Sequence, residues 1–320
     1  MAYIYILICL LVIVFSANWL VAGAVVIAQR FKISDFVIGV VILGVGTSFP
    51  ELVVSSLGAF EGNSDIAIGN VVGSNIFNIL AILGVTALVR PVVVTRENTR
   101  LDLPISLFLS VLTLLLVLNF FTGGTLGISR IDGIILLLCF AIFMFFSLKE
   151  GKSNAAVSDV VITNKQLAIG VGQVVFGLAA LIISSRFFLD NAIIIAHSWG
   201  VNDAVIAITL VACGTSLPEL AASITAARKK NTQMALGNVV GSNIFNLSLI
   251  LGVSSQLSEK GLTAPGITVA DYGVMILAAI LPWLLGLDGI LSRKEGAAMV
   301  ICFALYNVHL LLNAQMHYLF

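Results

Sequence analysis

Apolar residues in this chain fall into long blocks separated by short charged or turn-forming stretches. A helix that crosses a bilayer needs about 20 predominantly apolar residues. Blocks of that order occupy 3–28, 36–60, 66–89, 102–121, 131–148, 166–196, 203–227, 235–257, 270–288 and 295–316. The pattern predicts an all-α membrane protein of about ten transmembrane helices. The first block carries no basic residue before Arg30, so it lacks the n-region of a signal peptide and reads as a retained span.

The basic residues test this span count, because cytoplasmic loops hold an excess of Lys and Arg. Ten alternating spans place Arg30, Lys32, Arg90, Arg96, Arg100, Lys149, Lys152, Lys165, Arg228, Lys229, Lys230, Arg293 and Lys294 on one side, and only Arg130 and Lys260 on the other. Both termini are then expected outside. The expected division is residues 1–148 as a first five-helix half, 149–164 as a cytoplasmic linker and 165–320 as a second half. A linker this short leaves no room for a regulatory domain.

Composition sharpens the picture. With 59% apolar and 10% charged residues among 320, and 16 basic against 16 acidic side chains, the chain falls far below the roughly 25% charge of soluble domains. It also lacks the basic excess that nucleic-acid binding needs. Cys9, Cys139, Cys213 and Cys302 lie inside apolar runs and read as small hydrophobes rather than metal ligands or disulfides. No cofactor motif is present.

The chain also repeats itself. Asp35 to Val85 aligns without gaps to Asp203 to Val253, sharing the string GNVVGSNIFN at Gly69–Asn78 and Gly237–Asn246. The offset is constant, since Glu219 minus Glu51 and Asn246 minus Asn78 both give 168. Five spans separate equivalent points, so the second copy enters the membrane from the opposite side. Inverted repeats of this kind characterise secondary transporters, whose interrupted helices meet near the midplane and form the substrate site.

Each copy carries GTSxPE, at Gly46–Glu51 and Gly214–Glu219, inside an apolar block. Pro50 and Pro218 supply no amide proton and clash with the carbonyl four residues back, so Gly46 and Gly214 are expected to have loosened carbonyls. Helical stacking at four-residue spacing puts Thr47, Glu51 and Ser55 on one stripe, and Thr215, Glu219 and Ser223 on another. In the next span Asn70, Ser74 and Asn78 align, as do Asn238, Ser242 and Asn246. Gly69 with Gly73, and Gly237 with Gly241, have the GxxxG spacing of closely approaching helices. Asn75 and Asn243 point away from these stripes and read as structural. His197, His309 and His317 read as interfacial.

An unpaired charge at the bilayer centre costs at least about 2.5–3.5 kcal/mol on insertion scales. Only Glu51, Asp190 and Glu219 lie well inside blocks, and Asp190 has Arg186 one turn away for neutralisation. The two glutamates have no basic residue in reach and need a cation or a proton. Oxygen-only ligation without His or Cys favours hard cations such as calcium or sodium.

Paired GTSxPE and GNxxGSN motifs resemble the alpha repeats of the sodium/calcium exchanger family, in its prokaryotic form with two repeats. The resemblance implies two inverted five-helix halves in an inner (plasma) membrane. The first helix of each half, near 3–28 and 166–196, would slide against an eight-helix core. It also implies that Glu51 and Glu219 are the central ligands of calcium and sodium. Thr47, Ser48, Thr215 and Ser216, the carbonyls of Gly44 and Ala212, and Ser74, Asn78, Ser242 and Asn246 would complete the cage. Potassium-dependent relatives carry Asp where this chain has Asn246, which argues against potassium transport. The expected activity is calcium/sodium antiport at a shared site, without need of an oligomer. A calcium/proton antiporter is the alternative; a passive cation channel and a purely structural membrane protein are the competing classes.

Overall fold

The structure is a computed structural model that describes residues 2–119, 126–153, 162–198, 212–263 and 267–317. It is built almost wholly of helices. In chain order these are α1 (Ala2–Phe31), α2 (Asp35–Thr47), α3 (Phe49–Phe60), α4 (Ser64–Val89), α5 (Asn98–Val117), α6 (Arg130–Ser153), α7 (Asn164–Ser198), α8 (Ala212–Gly214), α9 (Leu217–Arg228), α10 (Thr232–Leu257), α11 (Val269–Leu285) and α12 (Arg293–His317). Among the described residues eight helices are long and apolar enough to cross a membrane, and the bent pair α2–α3 makes a ninth span. The span expected at 203–227 is described only from Ala212, where α8 and α9 repeat the broken geometry of α2–α3.

Helix starts follow local chemistry. Asn63 and Asn231, equivalent in the repeat, cap α4 and α10 by accepting the amides of Ile66 and Met234, which satisfies a donor that the first helical turn leaves free. Pro50 and Pro218 sit in the first turn of α3 and α9, where the missing amide costs nothing. The residue just before each of these helices, Ser48 (φ −82°, ψ 10°) and Ser216 (φ −91°, ψ 12°), takes the same non-helical conformation. α2 and α3 meet there at 46°. Short π-helical turns at Gly39–Gly44, Phe77–Leu83 and Asn246–Ile250 flank the polar centre. Such turns gather at functional sites, and hydropathy gave no sign of them.

Burial ranks the helices. In α4 and α10, 83% and 89% of the apolar window is buried, against 22% in α6 and α7 and 11% in α12. The repeated GNVVGSNIFN segments are therefore the axle of the molecule. The main apolar core joins α2, α4, α5, α6, α10, α11 and α12 and takes no residue from α1 or α7. Those two long helices pack on one another and meet the rest through a separate cluster, in which Ala17, Leu20 and Leu181 face Ala222, Ala226 and Met234. Arg186 and Asp190 on α7 form the expected i,i+4 pair, at 3.3 Å, on an exposed face. Two short contacts tie the halves at their ends: an antiparallel pair β1 (Val92–Val93) with β2 (Ile290–Leu291), and a bridge between Ile128 and Leu262.

Close approach of α2 to α10 depends on glycine. A Cβ on Gly237 would lie 2.1 Å from the Phe36 carbonyl oxygen, and one on Gly241 2.8 Å from the Val40 Cα. This is the helix contact that the second GxxxG predicts. The counterpart of Phe36 and Val40 facing Gly69 and Gly73 falls at 204 and 208, outside the described residues. Gly237→Ala is expected to lower stability by about 1–3 kcal/mol or more, the usual cost of overpacking. Gly273→Ala, with nothing within 4 Å of the added carbon, should leave it within about 0.5 kcal/mol. Thermal unfolding of both variants in detergent checks the difference.

Candidate functional site

The broken helices bring their sharp turns together at the centre of the fold, against the middle of α4 and α10. Glu51 and Glu219, the first-turn acids of α3 and α9, are each only 1% exposed. The serine at each break reaches across the repeat boundary. Ser48 Oγ donates to Glu219 Oε1 at 2.8 Å, and Ser216 Oγ donates to Glu51 Oε1 at 2.9 Å. Each half thus supplies the hydroxyl that holds the other half's carboxylate. The second oxygens, Glu51 Oε2 and Glu219 Oε2, are buried with no hydrogen-bond partner.

A second symmetric set fixes the helix that carries each acid. Asn70 Nδ2 donates to Ser55 Oγ (3.0 Å) and to the Glu51 carbonyl (3.4 Å). Asn238 Nδ2 donates to Ser223 Oγ (2.8 Å) and to the Glu219 carbonyl (3.1 Å). The amide donors of Asn70 and Asn238 therefore brace the backbone under the acids, with Ser55 and Ser223 accepting. The asparagine amide oxygens turn toward the threonines of the opposite copy, Thr215 Oγ1 to Asn70 Oδ1 and Thr47 Oγ1 to Asn238 Oδ1, both at 3.4 Å.

The remaining expected residues gather here as well. Thr47 Oγ1 spends its proton on the Leu43 carbonyl at 2.8 Å, which leaves its oxygen lone pairs available. Ser74 lies 3.3 Å from Ser216 Oγ, and Ser242 Oγ reaches the Gly44 carbonyl at 3.4 Å. Gly44 O also accepts the Ser48 amide at 3.2 Å, so this carbonyl meets its own helix and Ser242 of the opposite copy. Ala212 begins α8, next to residues outside the description. Asn78 and Asn246 are both buried.

Asn243, expected off the stripes as a structural residue, holds the structure across the two halves. Its Oδ1 accepts from Asn78 Nδ2 at 3.0 Å and its Nδ2 donates to the Asn75 carbonyl at 3.2 Å, so it links the two repeats at their centre. The equivalent link does not form: Asn246 and Asn75 each bury both amide atoms without a partner. A spacing argument within one helix misses Asn243, because its contacts lie on the other half.

No group of three or more His, Cys, Asp or Glu gathers among the described residues. The site is two carboxylates in a shell of hydroxyl, amide and carbonyl oxygens, and the side chains bonded to the acids among the described residues are neutral. An inverted repeat with carboxylates at paired helix breaks defines a membrane transporter.

Comparison with known proteins agrees. The family model described as "Sodium/calcium exchanger protein" matches residues 1–149 and 169–312. The chain is 34% identical over 317 residues to the putative antiporter CaxA of Alkalimonas amylolytica, covering 96% of this chain and 97% of that one. It is 30% identical over 343 residues to the sodium/calcium exchanger MaX1 of Methanosarcina acetivorans, covering 96% and 97%. Among solved structures, the sodium-calcium exchanger NCX_Mj soaked with sodium and calcium superposes with a TM-score of 0.82 at 29% identity, covering 95% of this chain and 96% of that one. The chain belongs to the sodium/calcium exchanger family. It is an integral, multi-pass membrane antiporter of cations, a transporter rather than a catalyst of a chemical reaction.

The crossed serine bonds make a specific energetic prediction. A double-mutant cycle on Ser48→Ala and Glu219→Gln should show a coupling of about 0.5–3 kcal/mol in thermal unfolding, as residues sharing a buried hydrogen bond do. The cycle on Ser48→Ala and Glu51→Gln, within one repeat, should show a smaller one.

Proposed function

We propose that the protein exchanges calcium for sodium by alternating access to the midplane site, with Glu51 and Glu219 as the ligands common to both ions. One observation carries this reading: two buried carboxylates each keep an oxygen without a partner, in a shell of neutral oxygens. Burying an uncompensated charge costs several kcal/mol, so the pair needs positive charge from outside the protein. Their combined charge equals that of one calcium ion, and hard cations prefer all-oxygen shells. Sodium competing for the same oxygens makes occupation by the two ions mutually exclusive, which is the basis of exchange.

Thr47, Ser48, Ser74, Asn78, Thr215, Ser216, Ser242 and Asn246, with the carbonyls of Gly44 and Ala212, complete the coordination. The name of the relative MaX1 and the description of NCX_Mj support sodium and calcium as the pair. Movement of α1 and α7 as one body would switch access, and their separate apolar cluster supports it. The excess of basic residues in alternate loops supports both termini outside and the 149–164 linker in the cytoplasm, and an inner (plasma) membrane is the proposed location.

In sealed proteoliposomes an imposed sodium gradient is expected to drive calcium uptake, whereas a pH gradient or a potassium gradient alone is not. Uptake that follows the pH gradient would select the calcium/proton antiporter instead. Conduction without any counter-ion would select a channel. Glu51→Gln or Glu219→Gln should cut sodium-driven calcium flux by more than about 100-fold, the scale of removing one partner from a buried charge interaction, about 3–5 kcal/mol.

Ion binding is separable from transport. Calcium at 100 times its Kd should stabilise the detergent-solubilised wild type by about 2.7 kcal/mol. The two glutamine variants should lose that stabilisation while remaining folded without calcium.

A further inference from the structure

Away from the midplane, two cavities meet where several spans end. The first, of about 720 Å³, is lined by Lys32 after α1, Asp35 at the start of α2, Glu97 before α5, Lys229 and Lys230 between α9 and α10, and Gln233 in the first turn of α10. The second, of about 470 Å³, is an apolar slot between α5 and α6 walled by Ile105, Phe108, Leu109, Ile142, Phe143 and Phe146. Asp102 and Ser147 line both, so the chambers adjoin. Ser147 is 7% exposed, and its hydroxyl has no hydrogen-bond partner. That buried polar atom at the junction points to an occupant.

Charge in the first chamber is mixed. Lysines and acids share one rim, Lys32, Lys229 and Lys230 with Asp35, Glu97 and Asp102. Lys229 is committed elsewhere: its Nζ donates to the Asn18 carbonyl of α1 at 2.7 Å. Lys32 (φ 51°) and Lys230 (φ 67°) both stand in the left-handed region, which a residue with a Cβ adopts at a cost.

The chambers differ in depth. The first lies at span ends, hence at headgroup level. The slot follows α5 from Leu101 to Leu109, about 12 Å at 1.5 Å per residue, which is most of the roughly 15 Å of hydrocarbon in one leaflet. Phe108, Ile142 and Phe146 along it are more than half exposed, so the slot opens sideways toward lipid. A polar chamber carrying both charges, joined to an apolar channel of acyl-chain depth, matches an amphiphile with a zwitterionic head.

We propose that the two chambers seat one glycerophospholipid with a zwitterionic headgroup. Its phosphate lies toward Lys32 and Lys230, its ammonium toward Asp35 and Glu97, and one acyl chain fills the slot between α5 and α6. The occupant would touch the end of α1 and the start of α2 together, which places it at the seam between the long helix pair and the core.

Native mass spectrometry of the full-length protein, equilibrated with an equimolar mixture of phosphatidylethanolamine and phosphatidylglycerol of identical chains, tests this. One phosphatidylethanolamine per chain should be retained in preference. The double variant Lys32→Gln/Lys230→Gln and the slot-filling Ile142→Trp should each lower that retention about tenfold or more, while Arg293→Gln leaves it unchanged. Unaltered calcium-dependent thermal stabilisation in the variants shows that they are folded. If that stabilisation is absent in the wild type as well, the ion-binding reading fails separately, and the unfolding midpoint without calcium serves as the folding control. Equal retention of both lipids, preference for phosphatidylglycerol, or retention unchanged by the lysine and slot variants overturns the proposal.

Discussion

Two carboxylates held out of water are the constraint around which the molecule is organised. An ionised group in a medium of low polarity must find compensation nearby, and this fold supplies only part of it. Ser48 and Ser216 each give one hydrogen bond to the acid of the opposite half, leaving one oxygen of each acid unsatisfied. The deficit is shared equally by the two halves, because the same break in the same motif creates it twice. The halves also depend on each other at this point, since neither can hold its own acid.

The rest of the fold protects that centre. Prolines at the start of α3 and α9 end the preceding helices without leaving an orphan amide, and the asparagines of α4 and α10 tie down the backbone beneath each acid. Glycines on α10 let α2 come within backbone contact, closing the site from one side. Around this core the exposed apolar faces of α6, α7 and α12 are those of a protein dissolved in lipid, where no hydrophobic drive brings helices together and close packing has to do so.

Much of this was legible in the chain. Span ends followed the charges closely, from α4 at Ser64–Val89 against 66–89 to α10 at Thr232–Leu257 against 235–257. The repeat and its inversion followed from an offset and an odd number of spans. Within one helix the stripes Thr47–Glu51–Ser55 and Asn70–Ser74–Asn78 were readable because helical period is a local property. What crossed between halves was not. The serine that bonds Glu219 is Ser48, and the partner of Asn78 is Asn243; both pairings arise from how two copies dock, which no spacing within a copy records. The π-helical turns depend on local backbone register, and side-chain pattern is blind to that.

Among the described residues the likeness of the halves fails at one pair of buried amides. Asn78 is tied to Asn243, whereas its counterpart Asn246 and the neighbouring Asn75 stand idle in the interior. A buried amide without a partner raises the free energy of any arrangement that contains it, so the orphaned pair weighs against this packing of the two halves in a way that the bonded pair does not.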